Sequence, residues 1–138
     1  MSLQDAIYEI QAAMREVSGV KNAPNEPPEN TANFPFVSTF PGTGSISAKG
    51  YGDKTELHNI EIELHVKRKD LPIDMRTAVP FITDIVDKIL SKRQDGAFTA
   101  FDTFGDITYE FAPLAWGETQ TLGYRITLND VKIRGTIT

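Results

Sequence analysis

The two histidines of the chain, His58 and His65, are the first candidates for chemistry, because an imidazole can bind a metal ion or transfer a proton. Their odd separation places them on opposite faces of a regular strand, where they cannot share a metal ion unless a bulge intervenes. No third ligand lies at a fitting spacing. The sequence also contains no Cys, which excludes a Cys-based zinc or iron–sulfur site and a thiol nucleophile. We therefore predict that the protein holds no metal and no cofactor.

The row Glu61, Glu63 and His65 is the richest pattern of titratable groups. Carboxylates and an imidazole on one strand face could serve general acid and base catalysis. An exposed sheet face, however, alternates charged residues for solubility alone, and we favour this second interpretation. The sequence lacks the Gly-x-Ser-x-Gly turn of a serine hydrolase. We therefore predict no catalytic residue and no enzymatic activity.

The glycine-rich and basic segments do not indicate a phosphate site. Pro41-Gly42-Thr43-Gly44 and Gly50-Tyr51-Gly52 lack the Lys and the strand-to-helix context of a nucleotide-binding loop. We interpret both as hairpin turns. The run Lys67-Arg68-Lys69, with Asp70 after it, is interpreted as the solvated end of a strand.

Loops and loop aromatics remain as candidates for partner binding. Val20 to Asn33 carries three prolines among Asn and Glu residues, so it can neither continue a helix nor pair as a central strand. Such a loop is either a partner-binding arm or a solvated connector, and the sequence favours neither. Trp116, next to Gly117 at a predicted turn, suits an interface and a cap on the core equally well. The residues predicted to bind a partner are Asn25, Glu26, Tyr51, Asp53, Lys54 and Trp116.

The composition describes one small acidic domain. The chain has 138 residues, of which 40% are hydrophobic and 24% charged, and this suits a single core that needs no disulfide. A formal charge of −5 has the wrong sign for nonspecific binding of nucleic acid. Charged residues interrupt the apolar pattern of residues 1–20. We therefore expect neither a signal peptide nor a membrane span there, no association with a membrane, and a cytosol-like solvent.

Apolar periodicity predicts a first helix from about Leu3 to Ser18, with apolar residues at intervals of three and four. Ser2 and Asp5 give it a start that resembles a capping box, and Gly19 gives it a left-handed stop. The long loop of residues 20–33 follows. We expect this loop and the segment Pro41 to Lys54 to be mobile in the free protein, since both are rich in Gly, Pro and Asn.

Between Phe34 and Lys69 apolar residues recur with period two, which predicts strands. The first strand carries Phe34, Phe36, Ser38 and Phe40 on one side, and Pro41-Gly42-Thr43-Gly44 is expected to break it. The strongest strand carries Ile60, Ile62, Leu64 and Val66 inward and charged residues outward, so the sheet is antiparallel there. Leu57 falls out of phase with Ile60, which indicates a bulge near His58 and Asn59.

A second helix is predicted over roughly Asp74 to Lys92. Because Pro80 would lie mid-turn in a helix that begins at Asp74, the regular helix either starts at Thr77 or kinks at Pro80, and we favour the start at Thr77. Its apolar stripe contains Met75, Ala78, Val79, Ile82, Ile85, Val86, Ile89 and Leu90.

Two strands are predicted after a connector that contains Phe98, Phe101 and Phe104, for which we favour core packing. The first contains Ile107, Tyr109 and Phe111 and is ended by Pro113. The second runs from Leu122 to Leu128, and Val131 and Ile133 continue it in shifted phase beyond Asn129-Asp130. The predicted core consists of Ile7, Ile10, Met14, Ile62, Leu64, Val66, Ile82, Ile85, Val86, Ile89, Tyr109, Phe111, Tyr124 and Ile126.

The element order α-β-β-α-β-β predicts one α+β domain over residues 1–138, in which two helices pack on a mainly antiparallel sheet. The helix of residues 3–18 comes first and the loop of residues 20–33 second. Residues 34–138 then form the sheet and the second helix.

Three stretches of the chain resemble the tail terminator, or tail completion, proteins of lambda-like phages with long non-contractile tails. The first is the strand that leads into Lys69-Asp70-Leu71-Pro72. The second is the helical stretch with Ala78-Val79-Pro80-Phe81 near its start and Ile85-Val86 after it. The third is the closing strand Leu122-Gly123-Tyr124-Arg125-Ile126-Thr127-Leu128. The Pro-rich loop from Ala23 to Pro28 and the interruption at Asn129-Asp130 depart from the pattern.

The resemblance implies a virion structural protein that forms a homo-oligomeric, hexameric ring on the tail tube. Such a ring stops polymerisation of the tube protein and offers a surface to the head–tail connector, and DNA passes through its channel without specific binding. The implied location is the head-proximal end of the tail in the virion, and the host cytoplasm during assembly. The alternatives are a head–tail connector or another minor tail protein, a small-ligand-binding module and a nonviral adaptor.

Overall fold

The computed structural model describes residues 2–48 and 54–134. Within them the elements are α1 (Leu3–Arg15), β1 (Phe36–Ser47), β2 (Thr55–Lys67), α2 (Leu71–Ala78), α3 (Phe81–Gln94), β3 (Ile107–Trp116) and β4 (Thr119–Ile133). The strands form one antiparallel sheet in the order β1-β2-β4-β3. The predicted α+β class and element order are confirmed, with two consecutive helices at the second helical position.

Helix α1 begins where the sequence predicts and ends earlier. Ser2 Oγ accepts a hydrogen bond from the Asp5 N–H at 3.2 Å, and the Asp5 carboxylate accepts one from the Ser2 N–H at 2.9 Å, so the capping box forms. After Arg15 the next N–H groups bond three residues back instead of four, which tightens the chain before Ser18. Gly19 has a φ of +92°, as expected for a left-handed stop.

Pro80 separates α2 from α3, so the prediction of one regular helix that starts at Thr77 was wrong. A proline inside a helix has no N–H to donate, and its ring collides with the preceding turn. Met75, Val79 and Leu90, which the prediction placed on a buried stripe, are exposed.

Two segments that were predicted to interrupt strands lie inside them. Pro41-Gly42-Thr43-Gly44 shifts the register between β1 and β2, but β1 continues to Ser47, so the segment is not a hairpin turn. Pro113 likewise lies within β3. Both strands are edges of the sheet, where a residue without an N–H is tolerated. The other predicted turn, Gly50-Tyr51-Gly52-Asp53, lies outside the described residues.

Asn59 of β2 faces a bulge in each neighbouring strand. β1 and β4 each place two residues opposite it, Gly42-Thr43 and Asn129-Asp130. The Asn59 side chain joins both bulges, because Nδ2 donates to Thr43 Oγ1 at 2.9 Å and Oδ1 accepts from the Asp130 N–H at 3.1 Å. The predicted bulge near His58 and Asn59 and the phase shift in the last strand are thus confirmed.

The main core lies between the helices and one side of the sheet, which we call the helix-covered face. α1 packs on β1 and α3, and α2 packs on β2 and β4. The predicted core residues that are buried are Ile10, Met14, Ile62, Leu64, Val66, Ile85, Ile89, Tyr124 and Ile126, whereas Ile7, Ile82, Val86 and Phe111 are half-buried. Phe98, Phe101 and Phe104 are buried, which confirms their assignment to the core.

Tyr109 is the one predicted core residue that is exposed, at 60%. It lies on the edge strand β3, whereas the helices pack mainly on β1, β2 and β4. Its ring contacts only the edge of the core, at 5.6 Å between its centroid and that of Tyr124. The alternation of residues predicts to which face of the sheet a side chain points, but not how far the helices cover that face.

Candidate functional site

The opposite side of the sheet, which we call the outer face, is buried at one end by an aromatic cluster of Phe36, Phe40, His65 and Trp116. The Trp116 ring centroid lies 4.7 Å from Phe36, 5.7 Å from Phe40 and 5.3 Å from His65. The side chain of His65 is completely buried, so its predicted position on a solvated row with Glu61 and Glu63 was wrong. Its cover comes from Phe36 and Trp116, which are distant in sequence.

Both ring nitrogens of His65 have partners on the outer face. Nδ1 lies 2.6 Å from Thr121 Oγ1, and Nε2 lies 2.9 Å from Glu63 Oε1. The second Glu63 oxygen lies 3.7 Å from Arg125 Nε. Since these residues belong to β2 and β4, the chain of polar contacts joins the two central strands.

A hydroxyl, an imidazole and a carboxylate in this order have the composition of a nucleophilic triad, but their burial separates them from any substrate. Thr121 and His65 are both fully buried, whereas a nucleophile must face an open site. His58 lies opposite the buried Val131, on the helix-covered face, so the two histidines do lie on opposite faces. Among residues 2–48 and 54–134 no three His, Asp or Glu side chains could hold one metal ion.

The loop of residues 20–33 is fastened to α1 on its first half. Arg15 Nη1 donates to the Ala23 carbonyl and to Asn25 Oδ1, both at 2.9 Å. The Tyr8 hydroxyl donates to the Glu26 carboxylate, and this hydrogen bond raises the pKa of Tyr8. Two of the residues predicted to bind a partner, Asn25 and Glu26, are therefore engaged within the chain.

Gln11 joins α1, the loop and β1, a role that the sequence analysis did not identify. Its buried Nε2 donates to the Pro24 carbonyl at 2.7 Å and to the Val37 carbonyl at 3.1 Å, and its Oε1 accepts from the Thr39 hydroxyl at 2.6 Å. The available signal was an amide within the apolar half of an amphipathic helix, where a buried polar group needs partners.

The second half of the loop lies over the aromatic cluster. Trp116 Nε1 donates to the Pro28 carbonyl at 3.0 Å. Gly117 has a φ of +57°, which favours glycine, and a Cβ on it would stand 3.0 Å from the Glu29 carbonyl oxygen, so the loop lies close against this turn. These anchors favour an ordered loop, whereas the mobility expected from composition stays a prediction.

The predicted partner-binding residues fall into two regions. In the first region, Asn25 and Glu26 lie on the first half of the loop against α1, and Trp116 lies at the end of β3 where the second half of the loop contacts it. Lys54 lies at the other end, before β2, with its Nζ 3.0 Å from the Glu56 carboxylate. Hydrogen bonds from His58 and then from Lys54 hold the pKa of Glu56 below its usual value. Tyr51 and Asp53 lie outside the described residues.

A cleft of about 420 Å³ opens at the end of the sheet where the loop, β2 and α2 meet. We call it the lysine cleft, because Lys21, Lys67 and Lys69 line it together with Phe34, Val66, Ile73 and Asp74. The Lys67-Arg68-Lys69 run, predicted to be a solvated strand end, thus shares a cleft with Lys21, which lies far away in the sequence. The run itself was the available signal.

Asp74 organises the wall of this cleft. Its carboxylate accepts hydrogen bonds from the N–H groups of Lys69 and Asp70, at 2.8 Å and 3.1 Å, and lies 3.7 Å from Arg68 Nε. These contacts fix the turn between β2 and α2 and pair the carboxylate with Arg68. The charged groups of the cleft that are left for a ligand are the lysine ammonium groups.

No protein-family model matches the chain, and no curated protein matches it. Within the described residues, none of the helices combines the length and the apolar character that a membrane crossing requires.

Proposed function

We propose that the protein is a tail terminator of a phage with a long non-contractile tail. In this proposal it forms a ring on the tail tube, stops polymerisation of the tube and offers a surface for joining to the head. The observation that carries the proposal is the packing of the three stretches that resemble the terminator family. Asp74 fixes the first stretch at Lys69-Asp70, and the Tyr124 hydroxyl of the third donates to the Val79 carbonyl of the second at 3.0 Å.

The open edges of the sheet support assembly into a ring. β3 is an edge strand, and so is the part of β1 after Pro41, whose side chains are exposed. A ring needs two different surfaces on each subunit, one for each neighbour, and two different edge strands satisfy this requirement. Ile46 is 61% exposed on this part of β1, which makes it an apolar contact available to a neighbour or to the tube.

The decisive experiment is deletion of the gene, followed by electron microscopy of the tails. Loss of a terminator gives tails of uncontrolled length. Loss of a connector instead gives tails of normal length that lack heads, so the same micrographs separate the proposal from its nearest alternative. Tails of normal length that are joined to heads after a complete deletion would exclude both the terminator and the connector hypotheses. The mass in solution is secondary, because a terminator can stay monomeric until it meets the tube.

A point variant locates the contact. Ile46→Ser removes an exposed apolar side chain, so it should change the unfolding free energy by no more than about 0.5 kcal/mol. It should nevertheless yield tails of uncontrolled length. Leu90→Ser, the same type of change on the exposed side of α3, is the matched control and should yield normal tails. Normal tails from a folded Ile46→Ser protein would exclude this part of β1 from the interface.

A further inference from the structure

The lysine cleft concentrates positive charge that the chain itself does not neutralise. Lys21, Lys67 and Lys69 form no ion pair with another described residue, whereas Lys54 pairs with Glu56 and Lys92 with Glu16. The only carboxylate of the lining, that of Asp74, is already paired with Arg68 and hydrogen-bonded to two N–H groups. A protein with a net charge of −5 thus has a distinctly positive cleft.

The cleft also offers apolar contact. Ile73, in the first turn of α2, is 53% exposed, and Phe34 and Val66 continue the apolar lining. Its volume lies within the range of about 300 to 1,000 Å³ that is typical of ligand sites. It can therefore take a few side chains of a partner, and not a folded element.

Several backbone N–H groups around the cleft are already hydrogen-bonded within the chain, and this limits the types of ligand that the cleft can bind. A phosphate at a helix N-terminus is held by several unpaired N–H groups, but Pro72 in the first turn of α2 has none to donate, and the N–H groups of Lys69 and Asp70 just before the helix already bind Asp74. A strand cannot be added to β1 at this end either, because the Val37 N–H donates to the Asn22 carbonyl at 2.9 Å. These features favour recognition through the lysine ammonium groups and the apolar lining.

We propose that the lysine cleft binds an acidic segment of a partner protein, in which Asp or Glu residues flank a large apolar side chain. The carboxylates pair with Lys21, Lys67 and Lys69, and the apolar side chain covers Ile73 and Phe34. The apolar lining favours this ligand over the backbone of a nucleic acid, which offers phosphates without apolar groups. The inference holds whether or not the protein caps a tail tube.

The test measures binding of a fluorescent synthetic peptide of alternating Glu and Leu residues to the full chain at physiological salt. A peptide in which every Glu is replaced by Gln is the matched probe, and we expect it to bind about tenfold more weakly. Lys21→Glu and Lys69→Glu should each weaken binding of the Glu peptide about five- to tenfold, since each places a like charge in the cleft. Ile73→Ser should weaken it about threefold through lost apolar contact.

Lys132→Glu is the matched control, because it makes the same change of net charge on the exposed part of β4. It should change the affinity less than about twofold, since charges more than about 8 Å apart are screened at this salt concentration. Equal losses for Lys69→Glu and Lys132→Glu would reduce the effect to net charge and overturn the proposal. It would also be overturned if neither peptide bound, or if duplex DNA bound in their place and lost affinity with Lys69→Glu.

Discussion

The two faces of the sheet are closed in different ways. On the helix-covered face, aliphatic side chains of α1 and α3 pack on aliphatic strand residues, and the cover depends on apolar area. On the outer face, the aromatic cluster buries one end and a loop without regular structure contacts its Trp116, whereas Glu61 and Arg125 are exposed farther along. One face of a sheet can therefore be exposed to solvent along most of its length and buried at one end.

The two covers also differ in what holds them. The loop is held by side chains that donate to its carbonyl groups, from Gln11 to Pro24, from Arg15 to Ala23 and from Trp116 to Pro28. Single hydrogen bonds of this kind contribute about 1 kcal/mol each. We therefore expect the loop to open locally at a low cost in free energy, whereas the helices should separate from the sheet only in global unfolding.

The largest effect is expected from Phe36→Ala on the outer face. Phe36 is fully buried between Trp116 and His65, so its truncation should lower the unfolding free energy by about 3 to 5 kcal/mol. Chemical denaturation measures this change. A cost below about 1 kcal/mol would show that the aromatic cluster is a surface feature and not a second core.

Ile85→Ala and Leu64→Ala make the corresponding change on the helix-covered face. Both side chains are fully buried in the main core, and each truncation should cost about 2 to 5 kcal/mol in unfolding free energy. Thermal unfolding of the two variants provides the measurement. If both melted like the original protein, the assignment of these positions to the main core would fail.

Trp116→Phe distinguishes the two covers. It keeps an aromatic ring in the cluster but removes the donor to the Pro28 carbonyl, so the expected loss is about 1 kcal/mol. Hydrogen exchange should become faster in residues 24–33 and stay unchanged in α3. Uniformly faster exchange in both regions would mean that the loop opens only with the whole domain.

The smallest effect concerns pH. The hydrogen bonds from His58 and Lys54 lower the pKa of Glu56 in the folded state, so its contribution to stability is present above the usual glutamate pKa, and it is lost as the pH falls through the lowered value. Glu56→Gln should remove this contribution, less than about 1 kcal/mol at neutral pH and nothing at strongly acid pH. Denaturation midpoints across this pH interval measure the difference. A constant offset at every pH would point to packing instead of charge.

Periodicity predicted the helix-covered face well, because its residues alternate within single elements. Ile62, Leu64 and Ile126 are buried as their strand pattern indicates. The same rule misplaced His65, whose cover comes from residues near 36 and 116, and Tyr109, whose strand extends past the helices. The local sequence pattern specifies the direction of a side chain, whereas its burial also depends on which distant parts of the chain pack against it.

The candidate sites were less predictable for the same reason. The basic run at residues 67–69 was visible in the sequence, but its meaning depends on Lys21, which the loop brings to the other wall of the cleft. For Trp116, the sequence pattern favoured neither an interface role nor a cap on the core. It is half-buried with its donor satisfied, because Pro28 lies above it.

The paired bulges opposite Asn59 divide β1, β2 and β4 into two parts that pair in different registers. One pairing register holds on one side of Asn59, and a second register holds on the other side. Because side-chain direction repeats every two residues, two residues added to each strand of the β1–β2 hairpin beyond Asn59 would lengthen it without turning any core side chain outward. The far end of the hairpin can therefore be lengthened or exchanged in an engineered protein while the residues before the bulges keep their packing.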